Sequence, residues 1–364
     1  MNKNLFVSAP GRVCLYGEHQ DYLNLVVIPA AIDLRCNIKG QQNTSNKIVL
    51  NDKVFREVIE IPFSSQQKSK PFALKENDYF KAVLNIFIKN GDLADVNSQL
   101  GFSGELWNQV PVKSGLSSSA ALLVCFTKLL DILFETNLSD IEIGSYAYMA
   151  EHDEMGIPCG QMDQLASAVG YIFHMKCVEP PIVTKLNKKV PGLVVGDTLI
   201  PKSTNSVHSI RVKEITDAIE FLKKNLDFDI EKTKWEEVND ILKDKNEIWF
   251  KRMRATLKDR DITDIAYSEL RKENPDVEYL GQLLNTHQKY LRDDYEVSVK
   301  KIDDMLKAGL DAGALGGKLT GAGMGGSIIM LAPGKQKEVA NALTKAGGKG
   351  YVVDIDKGVY VEEE

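Results

Sequence analysis

Lys113-Ser114-Gly115-Leu116-Ser117-Ser118-Ser119-Ala120 is a run of small and hydroxyl-bearing residues between a predicted strand and a predicted helix. Such a junction exposes backbone N–H groups, and the helix dipole adds partial positive charge at the same point, so it can cradle phosphate oxygens. Gly115 lets a ligand approach the backbone, and the serines supply hydroxyls without bulk. The run is not a Walker A loop, because GxxxxGK[ST] is absent. The alternative reading is a serine-rich helix cap, although a cap needs one such residue and not three.

Three more segments crowd polar groups or glycines together. Residues 10–22 carry Arg12, Glu18, His19 and Asp21, which could bind a polyol through charge-assisted hydrogen bonds or form a solvated turn. Residues 150–164 hold Glu151 and Asp163 on either side of a Gly/Pro turn. That turn could bring one acid to a magnesium ion and the other to a proton, or leave Asp163 as a helix cap or surface acid. Residues 316–327 contain six glycines, so either a ligand or backbone comes very close, or the loop is a bent structural hairpin.

The elements that would position these groups can be read from apolar spacing. Segments 4–8 and 12–17 read as strands, and 78–90 as a helix with Tyr79, Phe80, Val83, Leu84, Phe87 and Ile88 on one stripe. Residues 101–110 form a predicted strand, with Phe102, Leu106 and Val110 on one face, and 117–135 a buried helix. A capping box, Ser139 with Glu142, opens a helix running towards Met155. Strands are expected at 171–175, 182–186 and 193–200. A charged, mostly helical region follows over 209–310, then strands at 318–319 and 327–331, a helix at 335–346 and a strand pair near 351–361. The change of pattern near 187–191 places a boundary there, giving two α+β lobes over 1–187 and 188–364.

Composition narrows the function. A chain of 364 residues suits two domains, and a net charge of −6 argues against nucleic-acid binding as the main task while allowing a local nucleotide site. The five cysteines form no CxxC pair and read as reduced thiols. The N-terminus lacks the apolar core of a signal peptide, and no apolar run approaches the ~18–20 residues that span a bilayer. A cytoplasmic protein without a membrane partner is expected.

In this order, the strings PGRVCLYGEHQDY, GLSSSAAL, AEHDEMGIPCGQMDQ and LTGAGMGG, with LRDDYEVS at 291–298, resemble the GHMP kinases, and among them galactokinases most. The resemblance spans most of the chain. It implies a two-lobed α+β GHMP kinase fold, with a ribosomal-protein-S5-like β/α substructure in the N-terminal lobe, an α+β C-terminal lobe and the active site between them. It further implies ATP-dependent phosphorylation of the anomeric C1 hydroxyl of a monosaccharide, galactose first, with Mg2+, by a monomer or homodimer.

Residue by residue, Asp163 matches the proton acceptor and Arg12 the neighbouring arginine, which should keep that carboxylate ionised. Glu18, His19 and Asp21, together with Asp163, match the sugar-binding positions. Residues 113–120 match the phosphate loop, Ser119 and Glu151 the magnesium positions, and Gly321, Gly323 and Gly325 the closing loop.

Four departures concern specificity. Lys113 replaces a glycine and either contacts the triphosphate or points into solvent. Leu23-Asn24-Leu25 replaces a Gly-Gly pair, and Glu76, before Tyr79, stands near the place of an adenine-flanking tryptophan. Ile215, seven residues after His208 in Val207-His208-Ser209-Ile210, stands where galactokinases carry a sugar-contacting tyrosine. N-acetylgalactosamine, a uronic acid, arabinose, a heptose phosphate and mevalonate therefore remain alternatives, as does a non-catalytic sugar and ATP sensor. GEHxDY and CGxMDQ favour a sugar over an isoprenoid.

Overall fold

The computed structural model describes residues 3–62, 69–93, 100–186, 188–201 and 204–363, without the side chains of 204–208. Asn187 at the expected boundary, and the side chains of Val207 and His208, lie outside the described residues.

Strand β1 (Asn4–Tyr16) pairs antiparallel with β2 (Val26–Asn43), and the charged loop between them is the one carrying Glu18, His19 and Asp21. The two short strands expected over 4–17 are one continuous strand. Pro10 does not end it, because the register shifts between Pro10 and Gly11, where the partner jumps from Arg35 to Ile32. An irregularity of this kind accommodates a residue lacking an N–H and re-aims the side chains beyond it.

The sheet continues with β3 (Lys47–Asp52), β4 (Glu57–Pro62), β5 (Gly101–Asn108) and the last strand β12 (Tyr360–Glu363), in the order β12-β1-β2-β5-β3-β4. Among the described residues, only β3 and β5 of this sheet pair in parallel. Two more strands, β6 (Phe173–Lys176) and β7 (Ile182–Lys185), extend from the start of β2. Helices α2 (Ser118–Phe134) and α4 (Met162–Val169) pack on this sheet, and α1 (Tyr79–Asn90) and α3 (Asp140–Met149) pack against those helices. Leu123, Val124, Phe126 and Leu129 of α2 share one buried cluster with Leu5, Val7 and Ile38. Burial on most faces explains why α2 is apolar nearly all round. The capping box of α3 is present, and the chain continues past it as a π turn over Ala150–Glu154.

A second, antiparallel sheet has the order β11 (Lys349–Val352), β8 (Leu193–Asp197), β10 (Ser327–Leu331), β9 (Gly316–Thr320). It packs with α5 (Thr204–Asn225), α6 (Trp235–Lys243), α7 (Glu247–Leu270), α8 (Val277–Asp293), α9 (Lys300–Asp311) and α10 (Gln336–Lys345) around a second core. The two units interlock. Strand β12 returns to β1, while α7 gives Ile262 and Ala266 to the first core and Met253 and Leu257 to the second. Among the described residues, no helix is long and apolar enough to cross a membrane.

Candidate active site

Just past the register shift in β1, Arg12 is 3% exposed and turned towards α4. Its Nε donates to Asp163 Oδ1 at 2.7 Å, its Nη2 lies 2.6 Å from the same oxygen, and its Nη1 donates to the Gly115 carbonyl at 2.6 Å. Burial works to lower the guanidinium's pKa, but the charges of Asp163 and Glu18 outweigh it and hold the pKa above the usual value. Ser117 donates its hydroxyl to Asp163 Oδ2 at 2.6 Å. It precedes α2 in a left-handed conformation, φ 63°, and its side chain makes no capping bond. The hydroxyl that a cap would use is committed to the carboxylate instead.

The rest of the serine run surrounds that contact. Leu116 sits in the first core while its carbonyl accepts from Arg12 N at 3.2 Å. Ser114 is buried and donates to Pro111 O at 2.8 Å, and Ala120 is buried within α2. Ser118 receives a bond from Asn108 Nδ2 at 3.1 Å, Ser119 is half-buried in the first helical turn, and Lys113 is exposed with φ 59°. The glycine loop lies directly against this run. A Cβ on Gly115 would stand 3.2 Å from Thr320 O, and one on Gly321 would stand 3.3 Å from Gly115 O; both residues have positive φ. A side chain at either position would crowd the facing backbone and be strained at its positive φ, so glycine suits both.

Glu18 is 3% exposed, with Oε2 accepting from Lys318 Nζ at 2.6 Å and Oε1 from Gly321 N at 2.8 Å. The His19 ring stacks on Tyr295 with centroids 4.6 Å apart. Asp21 is half-buried beside Gly160, and burial first, then the charges of Asp163 and Glu18, push its carboxyl up to about 6. Glu151, buried in the π turn, accepts from Gln164 Nε2 at 2.6 Å, and Gln164 directly follows Asp163.

Arg12, Glu18, His19, Asp21 and Asp163 line one cavity of about 630 Å³. Another wall comes from α5, which contributes Ser209, Val212, Lys213, Thr216 and Asp217. Ile215 faces away from it and is fully buried in the second core. The cavity therefore has no aromatic at that position, and the turn of helix around Ile215 forms its wall. Sequence reasoning overlooked this wall because charged residues at helical spacing read as solvated surface. It also passed over Lys318, although Lys318 lies inside the glycine segment.

Three family profiles match the chain: the GHMP kinases N terminal domain over 78–171, the GHMP kinases C terminal over 266–349, and the galactokinase galactose-binding signature over 2–41. A mevalonate kinase of Pyrococcus abyssi is 30% identical, with 100% of this chain and 99% of that protein covered. A galactokinase of Thermococcus kodakarensis is also 30% identical, covering 98% and 99%.

The chain belongs to the GHMP kinase family. It is thus an ATP-dependent phosphotransferase that acts on an alcohol. The crystal structure of Lactococcus lactis galactokinase complexed with galactose superposes on this GHMP kinase with a TM-score of 0.82 at 27% identity, covering 98% of this chain and 95% of that one. The Methanococcus jannaschii mevalonate kinase, at 19% identity and a TM-score of 0.73, shares the fold over 97% and 98%.

Proposed function

We propose that this GHMP kinase transfers the γ-phosphoryl group of ATP to the anomeric hydroxyl of a neutral monosaccharide, galactose being the substrate and galactose 1-phosphate the product. The observation that carries this reading is the Asp163 carboxylate, gripped by Arg12 and Ser117 where the polar cavity meets the phosphate loop. Asp163 orients the sugar hydroxyl and takes its proton as the oxygen bonds to the γ-phosphorus; the bond to ADP breaks and its electron pair leaves with ADP. Arg12 holds Asp163 in place and offsets developing charge, and the N–H groups of 114–119 receive the phosphates. Ser119 and Glu151 offer hard oxygens of the kind Mg2+ prefers, alongside phosphate oxygens. The metal, when bound, neutralises phosphate charge.

The charges of the cavity favour a neutral sugar over mevalonate, a uronic acid or a sugar phosphate. Among the described residues lining it, Arg12 is paired with Asp163, Lys213 with Asp217 at 2.9 Å, and His152 with Asp153 at 2.7 Å. An anionic substituent would meet each of these groups beside a carboxylate, and it would face Asp21.

The test is ADP release with Mg-ATP on galactose, N-acetylgalactosamine, arabinose, galacturonate, a heptose phosphate and mevalonate. Turnover of galactose in preference to the anions is expected. Preferential turnover of mevalonate would overturn the reading, and silence across the panel would replace it with a sugar and ATP sensor.

A further inference from the structure

The string at 291–298 plays no part in the chemistry above, yet the chain there touches both loops that meet the substrates. Tyr295, 1% exposed, stacks on the His19 ring at 26° and shares a hydroxyl–hydroxyl hydrogen bond with Tyr22. The Tyr22 hydroxyl in turn lies 3.3 Å from His19 Nδ1. Two residues further on, the Val297 carbonyl accepts from Met324 N at 2.8 Å, and a Cβ on Gly323 would come within 2.4 Å of it. The glycine loop is therefore seated on residue 297 while the sugar loop leans on residue 295.

The corner itself is anchored. Tyr295 N bonds to Tyr290 O and Val297 N to Leu291 O, fixing it to the end of α8. Arg252, almost wholly buried, donates to the Asp294 carbonyl, to Glu296 at 2.8 Å and to Glu214 of α5 at 2.6 Å. Glu296 is held at φ 55°, which a non-glycine residue keeps only when its surroundings over-determine it.

We propose that Tyr295 is a positioning residue and that residues 294–297 form a strut setting the sugar loop and the glycine loop together, so that sugar and nucleotide binding are coupled through it. This rests on the reading above: the cavity that His19 and Asp21 line takes the sugar, and the glycine loop packs through Gly321 on Gly115 of the run that receives the phosphates. A rigid corner packed against two loops transmits a shift of one to the other, because close-packed contacts do not deform continuously. The coupling must be equal in both directions.

The experiment measures galactose affinity by calorimetry, with and without Mg2+ and a non-hydrolysable ATP analogue. In the unsubstituted enzyme the analogue should tighten galactose binding at least about fivefold. Tyr295→Phe should raise the galactose KM roughly five- to tenfold with kcat changed less than about twofold, the signature of lost binding. Tyr295→Leu, which also removes the stack, should bring the ratio of affinities close to one. In a cycle of Tyr22→Phe, Tyr295→Phe and the double variant, the double should cost less than the two singles together, since the shared bond is lost only once while Tyr22→Phe also gives up the contact with His19. That cycle carries the test should the leucine variant not fold. Absence of coupling in the unsubstituted enzyme, an unchanged ratio in a folded Tyr295→Leu protein, or lowered Tm with unchanged KM would each overturn the strut. A lack of galactose turnover by the unsubstituted enzyme is a different failure, that of the substrate reading. The strut is then measured with whichever panel substrate is turned over.

Discussion

Lys318 Nζ stands 2.6 Å from Glu18 Oε2, both side chains are almost fully buried, and 300 residues of sequence separate them. The other oxygen of Glu18 takes the Gly321 N–H at 2.8 Å. One carboxylate therefore fastens the β1–β2 loop to both strand β9 and Gly321, the glycine just past its end. Lys318→Met would strand that carboxylate without its cation. Stability should fall by about 3–5 kcal/mol, and Lys318→Met combined with Glu18→Gln should recover part of it. Urea unfolding of the three proteins checks this.

Asp163→Ala removes the group that Arg12 and Ser117 hold at the cavity. Turnover should drop by at least about a thousandfold while nucleotide affinity stays within about twofold, because the phosphates are received by main-chain N–H groups and only the Ser117 hydroxyl of that run loses its acceptor. Single-turnover kinetics with a nucleotide titration would measure both, and a folded variant with near-normal turnover would remove Asp163 from the mechanism.

Arg12→Lys keeps the charge but not the fork. A lysine cannot reach Asp163 through two nitrogens and the Gly115 carbonyl through a third, as Arg12 does. We expect kcat to fall about 10- to 100-fold with a small change in Tm. Near-normal kcat in this variant would mean that only the charge matters.

Asp21 gives a pH dependence with a definite sign. With its carboxyl pushed up to about 6, the folded protein holds a proton there that the unfolded chain has already lost. The stability contributed is fully present below about pH 4 and is lost as pH climbs through about 6. Asp21→Asn has no such proton to lose. Its Tm relative to the unsubstituted protein should therefore be higher near pH 7.5 than near pH 4.5, as thermal melts at the two values would reveal.

Ile215→Tyr restores by residue type the aromatic expected after His208, but the position is fully buried in the second core. The larger side chain should cost about 1–3 kcal/mol by overpacking and leave the galactose KM no lower. A lower KM would mean that α5 can rotate its face into the cavity.

Local order was legible where one segment sets its own surroundings. The apolar stripe at 78–90, the all-round apolar helix after Ser117 and the Ser139–Glu142 capping box were readable because their periodicity or capping lies within a few residues. Strand β2 was not. Residues 27–32 are buried without alternation and include Pro29, so period two is absent and the pairing that makes a strand comes from β1.

By itself the sequence determined which chemical groups are available: a serine run, an arginine, a set of acids and a glycine-rich turn, in an order that marks the family. Tertiary structure alone decided how they are used. It turned Ser117 from a possible cap into a donor to Asp163, joined Glu18 to Lys318, and put the face of α5 rather than Ile215 on the cavity. Each of these depends on contacts between residues far apart in the chain, and their geometry exists only once two cores have packed.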